Sequence, residues 1–215
     1  MTTTMANRES DQQSGGPTPE QVRRGRRTAL LLFAIGFGPM VFATIMYYTG
    51  WLNPTGHTNN GELVKPVVPI TELHMQTSDG QPLAEWFGPE RADAEWMMMV
   101  VAGNCAEDCE NLLYLARQVN IALGKNANRM SRAAFLGTVP AGLERRWTEE
   151  YSAMERLQSQ GDRAPAWPAG VRPDQEPRIL LVDPFGNVMM HYGNEHSGKD
   201  MLKDLKHLMK LSQIG

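Results

Sequence analysis

One stretch constrains this chain more than any other. Residues 28–61 contain no Asp, Glu, Lys or Arg, in a protein of 215 residues of which 21% are charged. Its first part, TALLLFAIGFGPMVFATIMYYTGWL (residues 28–52), is long enough to cross a bilayer core, which takes about 20 residues in a helix. Tyr47, Tyr48 and Trp51 lie at the far end, where amphipathic rings favour the lipid–water boundary. Pro39 falls mid-span, where a kink is expected. A cleaved signal peptide would have a shorter apolar core followed by small residues, whereas Met46, Tyr47 and Tyr48 are bulky. The expectation is one retained transmembrane helix.

The charges place that helix. Residues 1–27 carry a net +2, with Arg23, Arg24, Arg26 and Arg27 just before the span, and residues 62–215 carry −5. A cationic flank stays in the cytoplasm, so the C-terminal part is expected on the outer side of the inner membrane, in the periplasm. Residues 1–27 are polar and read as a disordered cytoplasmic tail. Residues 53–70 are rich in Pro, Gly and Asn and read as a tether. Residues 71–215 then form the outer domain. A pI near 6.0 disfavours a nucleic-acid partner, and two cysteines cannot build a disulfide scaffold. The lipid bilayer is the one partner implied by the residues alone.

Within the outer domain, an Asp79-Gly80 turn suggests a hairpin. The apolar run 95–101 fits a buried strand ending at Gly103. Over 107–123, Cys109, Leu112, Ala116, Val119 and Leu123 recur at helical spacing, and Gly124 stops the pattern. Residues 129–137 suggest another strand. Leu143, Trp147, Tyr151 and Met154 suggest another helix. A long loop follows, with Pro165, Pro168, Pro173 and Pro177. RILLV, the turn DPFGN and VMMHY make a hairpin, and a final helix carries Met201, Leu202, Leu205, Leu208 and Met209. This order implies an α/β class: a thioredoxin-like mixed sheet flanked by helices, preceded by one N-terminal transmembrane helix.

Cys105 ends the first buried strand and Cys109 lies in the first turn of the next helix. Residues four apart share a helix face, so both sulfurs point to one spot, where they can form a disulfide or hold a metal ion. The expected place is the rim of the sheet, open to visitors from the outer side. A helix N-terminus stabilises thiolate, the nucleophilic and metal-binding form. Glu107, Asp108 and Glu110 oppose it by charge, and fit better with a bound cation such as copper. A plain structural disulfide and two inert buried thiols are the alternatives. His57, His74, His191, His196 and His207 read as surface residues, and Met97–Met99 and Met189–Met190 mostly as core. The pair Arg145, Arg146 reads as a solvated helix face. No haem-attachment, P-loop, dinucleotide, zincin or serine-elbow motif occurs.

The run VVAGNCAEDCENLLYLARQVN resembles the active-site region of the SCO/SenC family. ILLVDPFGNVMMHYG is similar to that family's late hairpin, and KDLKHLMKLSQIG to its closing helix. GELVKP, LYLARQVNIALGK and the C-terminal segment resemble a divergent branch often encoded with the oxidase itself. The resemblance implies a membrane-anchored, thioredoxin-fold assembly factor for cytochrome c oxidase. It implies that Cys105 and Cys109 are the catalytic thiols and the ligands of Cu(I), and that an oxidase subunit or a copper-delivery protein is the partner. Two positions depart from the family. Ala106 stands where the family has Pro. Gln175 stands where the third copper ligand, a His, is expected. Pro177 occupies the place of the cis-proline of thioredoxins and tilts the site toward thiol redox work, or toward a weaker copper site completed by another residue. A general periplasmic thiol-disulfide oxidoreductase and a non-catalytic scaffold for an oxidase subunit are the competing functions.

Overall fold

The protein is described by a computed structural model covering residues 18–49, 59–91 and 93–212. The chain divides into two units, 1–56 and 57–215. In the first, helix α1 spans Pro19–Thr49 and is long and apolar enough to cross a membrane. It starts earlier than expected, because Thr18-Pro-Glu-Gln21 is a helix start. The Gln21 N–H donates to Thr18 Oγ1 (3.3 Å), the Thr18 N–H donates to Gln21 Oε1 (2.9 Å), and Pro19 occupies the first helical position. The Arg cluster is therefore helical and not part of a disordered tail. The helix continues through Pro39. Trp51, most of the tail and residues 53–58 of the expected tether lie outside the described residues.

The second unit is built on a seven-stranded sheet. Its strands are β1 (Glu62–Pro69), β2 (Met75–Thr77), β3 (Trp96–Asn104), β4 (Met130–Thr138), β5 (Glu155–Ser159), β6 (Arg178–Val182) and β7 (Asn187–Tyr192). Their order is β1-β7-β6-β3-β4-β5-β2. The pairs β3/β4 and β4/β5 are parallel and the others antiparallel. Helices α2 (Glu107–Ala122), α3 (Ala141–Glu150) and α4 (Gly198–Leu211) complete the expected thioredoxin-like arrangement.

Strand β3 lies between β4 and β6 and is covered on both faces, which is why its opening WMMMVV (96–101) is a continuous apolar run. Met98, Val100 and Ala102 pack with α2, α3 and α4; Met97, Met99 and Val101 pack on the opposite face against Leu73, Leu83, Phe87 and Val171. The methionines of β3 are core, as expected. The Asp183 turn is built locally: its carboxylate accepts from the Phe185 and Asn187 N–H groups (2.9 and 2.8 Å), and Gly186 takes φ +85°.

Three expectations are corrected. Residues 62–69, assigned to the tether, are strand β1 against β7. The Asp79-Gly80 turn does not join two hairpin strands: β2 pairs with β5, and past the turn only Pro82 makes an isolated bridge to Gln76. The helix expected through Met154 ends at Glu150, and the polar segment Glu155–Ser159 is an edge-side strand. In each case long-range pairing decides the conformation, and no local periodicity reports it.

Asp204 of α4 fixes where the chain enters this domain. Its buried carboxylate accepts from the Asn60 and Gly61 N–H groups (2.8 and 2.9 Å), from Asn60 Nδ2 (2.7 Å) and from the Tyr192 hydroxyl (3.2 Å). Desolvation and the neighbouring Asp204 push the Tyr192 hydroxyl pKa well above its ordinary value.

Candidate functional site

The two cysteines meet at the carboxyl end of β3. Strand β3 runs to Asn104, and the Cys105 N–H donates to Thr138 O (2.8 Å), carrying the parallel pairing with β4 one residue further. Ala106 then breaks to extended backbone as the N-cap of α2, without a side-chain cap bond. Cys109 comes round in the first helical turn. The Cα atoms are 4.9 Å apart and the sulfurs are bonded as a disulfide. The expected convergence is present.

The expected openness is not. Both cysteines have 0% exposure. A strap from the long proline-rich loop, Arg172–Pro177, runs beside the pair. It crosses the end of β3 where Gly103 leaves room: the Gly103 N–H donates to Pro173 O (2.6 Å), and a Cβ at 103 would meet Asp174 Cα at 3.0 Å. The strap makes its own turn, with the Gln175 and Glu176 N–H groups donating to Arg172 O (both 2.9 Å). Arg178 holds its far end through Glu176 (2.5 Å) and Glu195 (2.7 Å). The sequence shows a long loop and a glycine at a strand end, but the contact between them is a tertiary fact.

A cavity of about 190 Å³ remains between the strap and α2, lined by Asn104, Asp108, Cys109, Asp174, Gln175 and Pro177, among others. Gln175 therefore stands beside the cysteine pair, at the place counted for the third ligand. The Glu176–Pro177 bond is trans; among the described residues the cis bond is Lys65–Pro66. The thioredoxin-type cis-proline before β6 is thus not present.

The acids are less uniform than their spacing implies. Glu107 and Asp108 are exposed, but Glu110 is bonded to Arg146 (2.6 Å). Arg146 also reaches Glu150 (3.2 Å), so it is no idle solvated residue. One of the three charges set against a thiolate is thereby offset.

The donor set does not suit a resident copper ion. Among the described residues no group of three or more His, Cys, Asp or Glu could hold a metal, and a Gln amide is a poor partner for Cu(I). Among the described residues no histidine lines the cavity beside Cys109. His191, expected at the surface, is buried beside Glu62 (3.6 Å), and burial lowers its pKa. His196 Nδ1 accepts from the Gly193 N–H (3.1 Å), and its Nε2 lies 3.0 Å from Asn60 O. His207 is exposed on α4, His74 is half-buried, and His57 lies outside the described residues. A disulfide across a strand–helix junction, with a small cavity beside it, is equipped for thiol–disulfide exchange.

Residues 96–212 match the family model described as the transmembrane-like, thioredoxin-like C-terminal domain, and residues 19–50 match its transmembrane-like N-terminal domain. No curated protein matches the chain. Solved structures similar to it include copper-bound yeast Sco1, at 14% identity over 71% of this chain and 89% of that one, TM-score 0.46. Apo Sco1 from Thermus thermophilus shares 13% identity over 72% and 99% of the chains, TM-score 0.47. BsSco, described as a member of the Sco family of cytochrome c oxidase assembly proteins with a disulfide switch, shares 16% over 73% and 99%, TM-score 0.43.

Proposed function

From a chain that belongs to the family of transmembrane-like proteins with a thioredoxin-like C-terminal domain, we infer a membrane-anchored thiol–disulfide factor that serves cytochrome c oxidase assembly. The observation that carries it is the Cys105–Cys109 bond at the end of β3, bordered by its own cavity. The outer domain faces the periplasm, by the Arg cluster preceding the apolar span. Reduced by an extracytoplasmic dithiol donor, the pair passes its electrons to a disulfide on its client, an oxidase subunit or a copper-delivery protein, and returns to the bonded form. Cu(I) enters this scheme as cargo held briefly by the two thiolates, since among the described residues no group of three or more His, Cys, Asp or Glu makes a resident site. The resemblance of VVAGNCAEDCENLLYLARQVN to the SCO/SenC active-site region supports the same client class.

The zero exposure of both sulfurs favours a second reading, a scaffold that binds an oxidase subunit while its disulfide stays shut. The two separate in one experiment. Full-length protein in detergent is reduced, and electron transfer to a disulfide client and uptake of Cu(I) are followed, beside Cys105→Ser and Cys109→Ser. Exchange that disappears in both variants supports the first reading. Oxidase assembly unimpaired by the double Cys→Ser variant selects the scaffold.

A further inference from the structure

We propose that Cys109, the second cysteine of the pair, is the sulfur through which this site exchanges disulfides, and that Cys105 is the leaving and resolving partner. The inference rests on the exchange reading above and adds an order of events to it. Cys109 lines the cavity beneath the strap, and Cys105 does not. Cys105 instead continues β3, its N–H donating to Thr138 O; both cysteines belong to the core between sheet and helices. An arriving sulfur that displaces the strap reaches the cavity, and the cavity leads to residue 109.

The leaving group agrees with this direction. Cys105 immediately precedes the N-cap of a 16-residue helix whose first-turn N–H groups have no side-chain cap. A thiolate released at 105 meets those donors and the positive end of the helix dipole. The lower the leaving thiol's pKa, the faster the exchange. A substrate thiolate attacks Cys109 Sγ; the new S–S bond forms as the Sγ–Sγ bond breaks, and the electron pair leaves on Cys105. A second substrate thiolate attacks the substrate sulfur of the mixed disulfide and frees Cys109. Protein disulfide is reduced, substrate dithiol is oxidised, and the two protein thiolates take protons from water. Running in reverse, the Cys109 thiolate attacks a substrate disulfide and Cys105 resolves the intermediate.

The cavity lining includes Asp108 and Asp174 and no cationic residue. A cationic disulfide, cystamine, is therefore the suitable probe. Full-length Cys105→Ser and Cys109→Ser, each reduced and desalted in detergent, are mixed with cystamine, and the mass of the adduct is followed with time. Circular dichroism melting of both variants checks that they are equally folded, since each lacks the same bond. The expected result is an adduct forming at least tenfold faster with Cys109 as the remaining thiol. In wild-type disulfide treated with excess cysteamine and quenched in acid, fragmentation of the peptide is expected to place the adduct on residue 109. Equal rates, or a faster Cys105, overturn the order while leaving exchange intact. If neither thiol reacts in the folded protein while both react in denaturant, exchange itself is refuted and the order with it.

Discussion

Replacing Gly103 by Ala tests whether the strap is what shields the disulfide. The added Cβ would lie 3.0 Å from Asp174 Cα and 3.2 Å from Pro173 O, both backbone atoms that no rotamer change can move aside. The strap must retreat by about half an ångström or more, and overpacking of this kind costs about 1–3 kcal/mol. The 2.6 Å hydrogen bond from the Gly103 N–H to Pro173 O lengthens in the same movement, which removes part of its ~1 kcal/mol. About 2 kcal/mol of lost strap stability multiplies the displaced population roughly thirtyfold. When opening is fast relative to reaction, reduction follows that population. The assay is the rate at which a small thiol reduces Cys105–Cys109 in folded protein, read by alkylation and mass. G103A should react ten- to thirtyfold faster than wild type and melt about 4–8 °C lower. Gly142→Ala is the control, because a Cβ there meets nothing within 4 Å. A G103A protein that melts lower yet is reduced within twofold of the wild-type rate would refute the assignment of the strap as cover.

Three further outcomes are expected. Reducing the disulfide of wild type opens a very short loop, so by chain entropy it should cost about 2 kcal/mol and lower the melting temperature by roughly 4–8 °C without unfolding the domain; complete unfolding under reductant would make the bond a structural staple. Asp204→Ala strands donors from Asn60, Gly61 and Tyr192 and should lose about 3 kcal/mol in urea denaturation, with Asp204→Asn retaining part of it; a loss under 1 kcal/mol would contradict the clamp. Burial lowers the pKa of His191 from 6.5, so as pH falls through 6.5 the unfolded chain takes up a proton first and stability declines. Comparing denaturation midpoints of wild type and His191→Gln from pH 7 to 5 should show a shallower fall in the variant; parallel curves would remove His191 as a cause.

The sequence exposes the elements whose burial is periodic or continuous. The apolar run of β3, the stripe of α2 and the DPFGN hairpin are all legible, because one residue after another carries the same message. It also brings Cys105 and Cys109 together, since helical spacing is a local property. It does not expose β5, whose Glu155-Arg156-Leu157-Gln158-Ser159 owes its conformation to β4 and β2. Nor does it reveal that the sulfurs are buried beside the strap, which lies about seventy residues further along the chain. The burial of His191 is hidden from the sequence for a similar reason. Its neighbours in sequence are ordinary, and only the pairing of β7 between β1 and β6 puts it inside.

The clamp at Asp204 has a temporal consequence. Its partners Asn60 and Gly61 are made 144 and 143 residues earlier. The first strand of the domain also finds its neighbour only in the last strand. During synthesis the apolar helix can reach a bilayer long before this edge of the sheet has anything to pair with. The domain therefore cannot close this edge before its final helix has been made, and its opening residues stay unsecured until then.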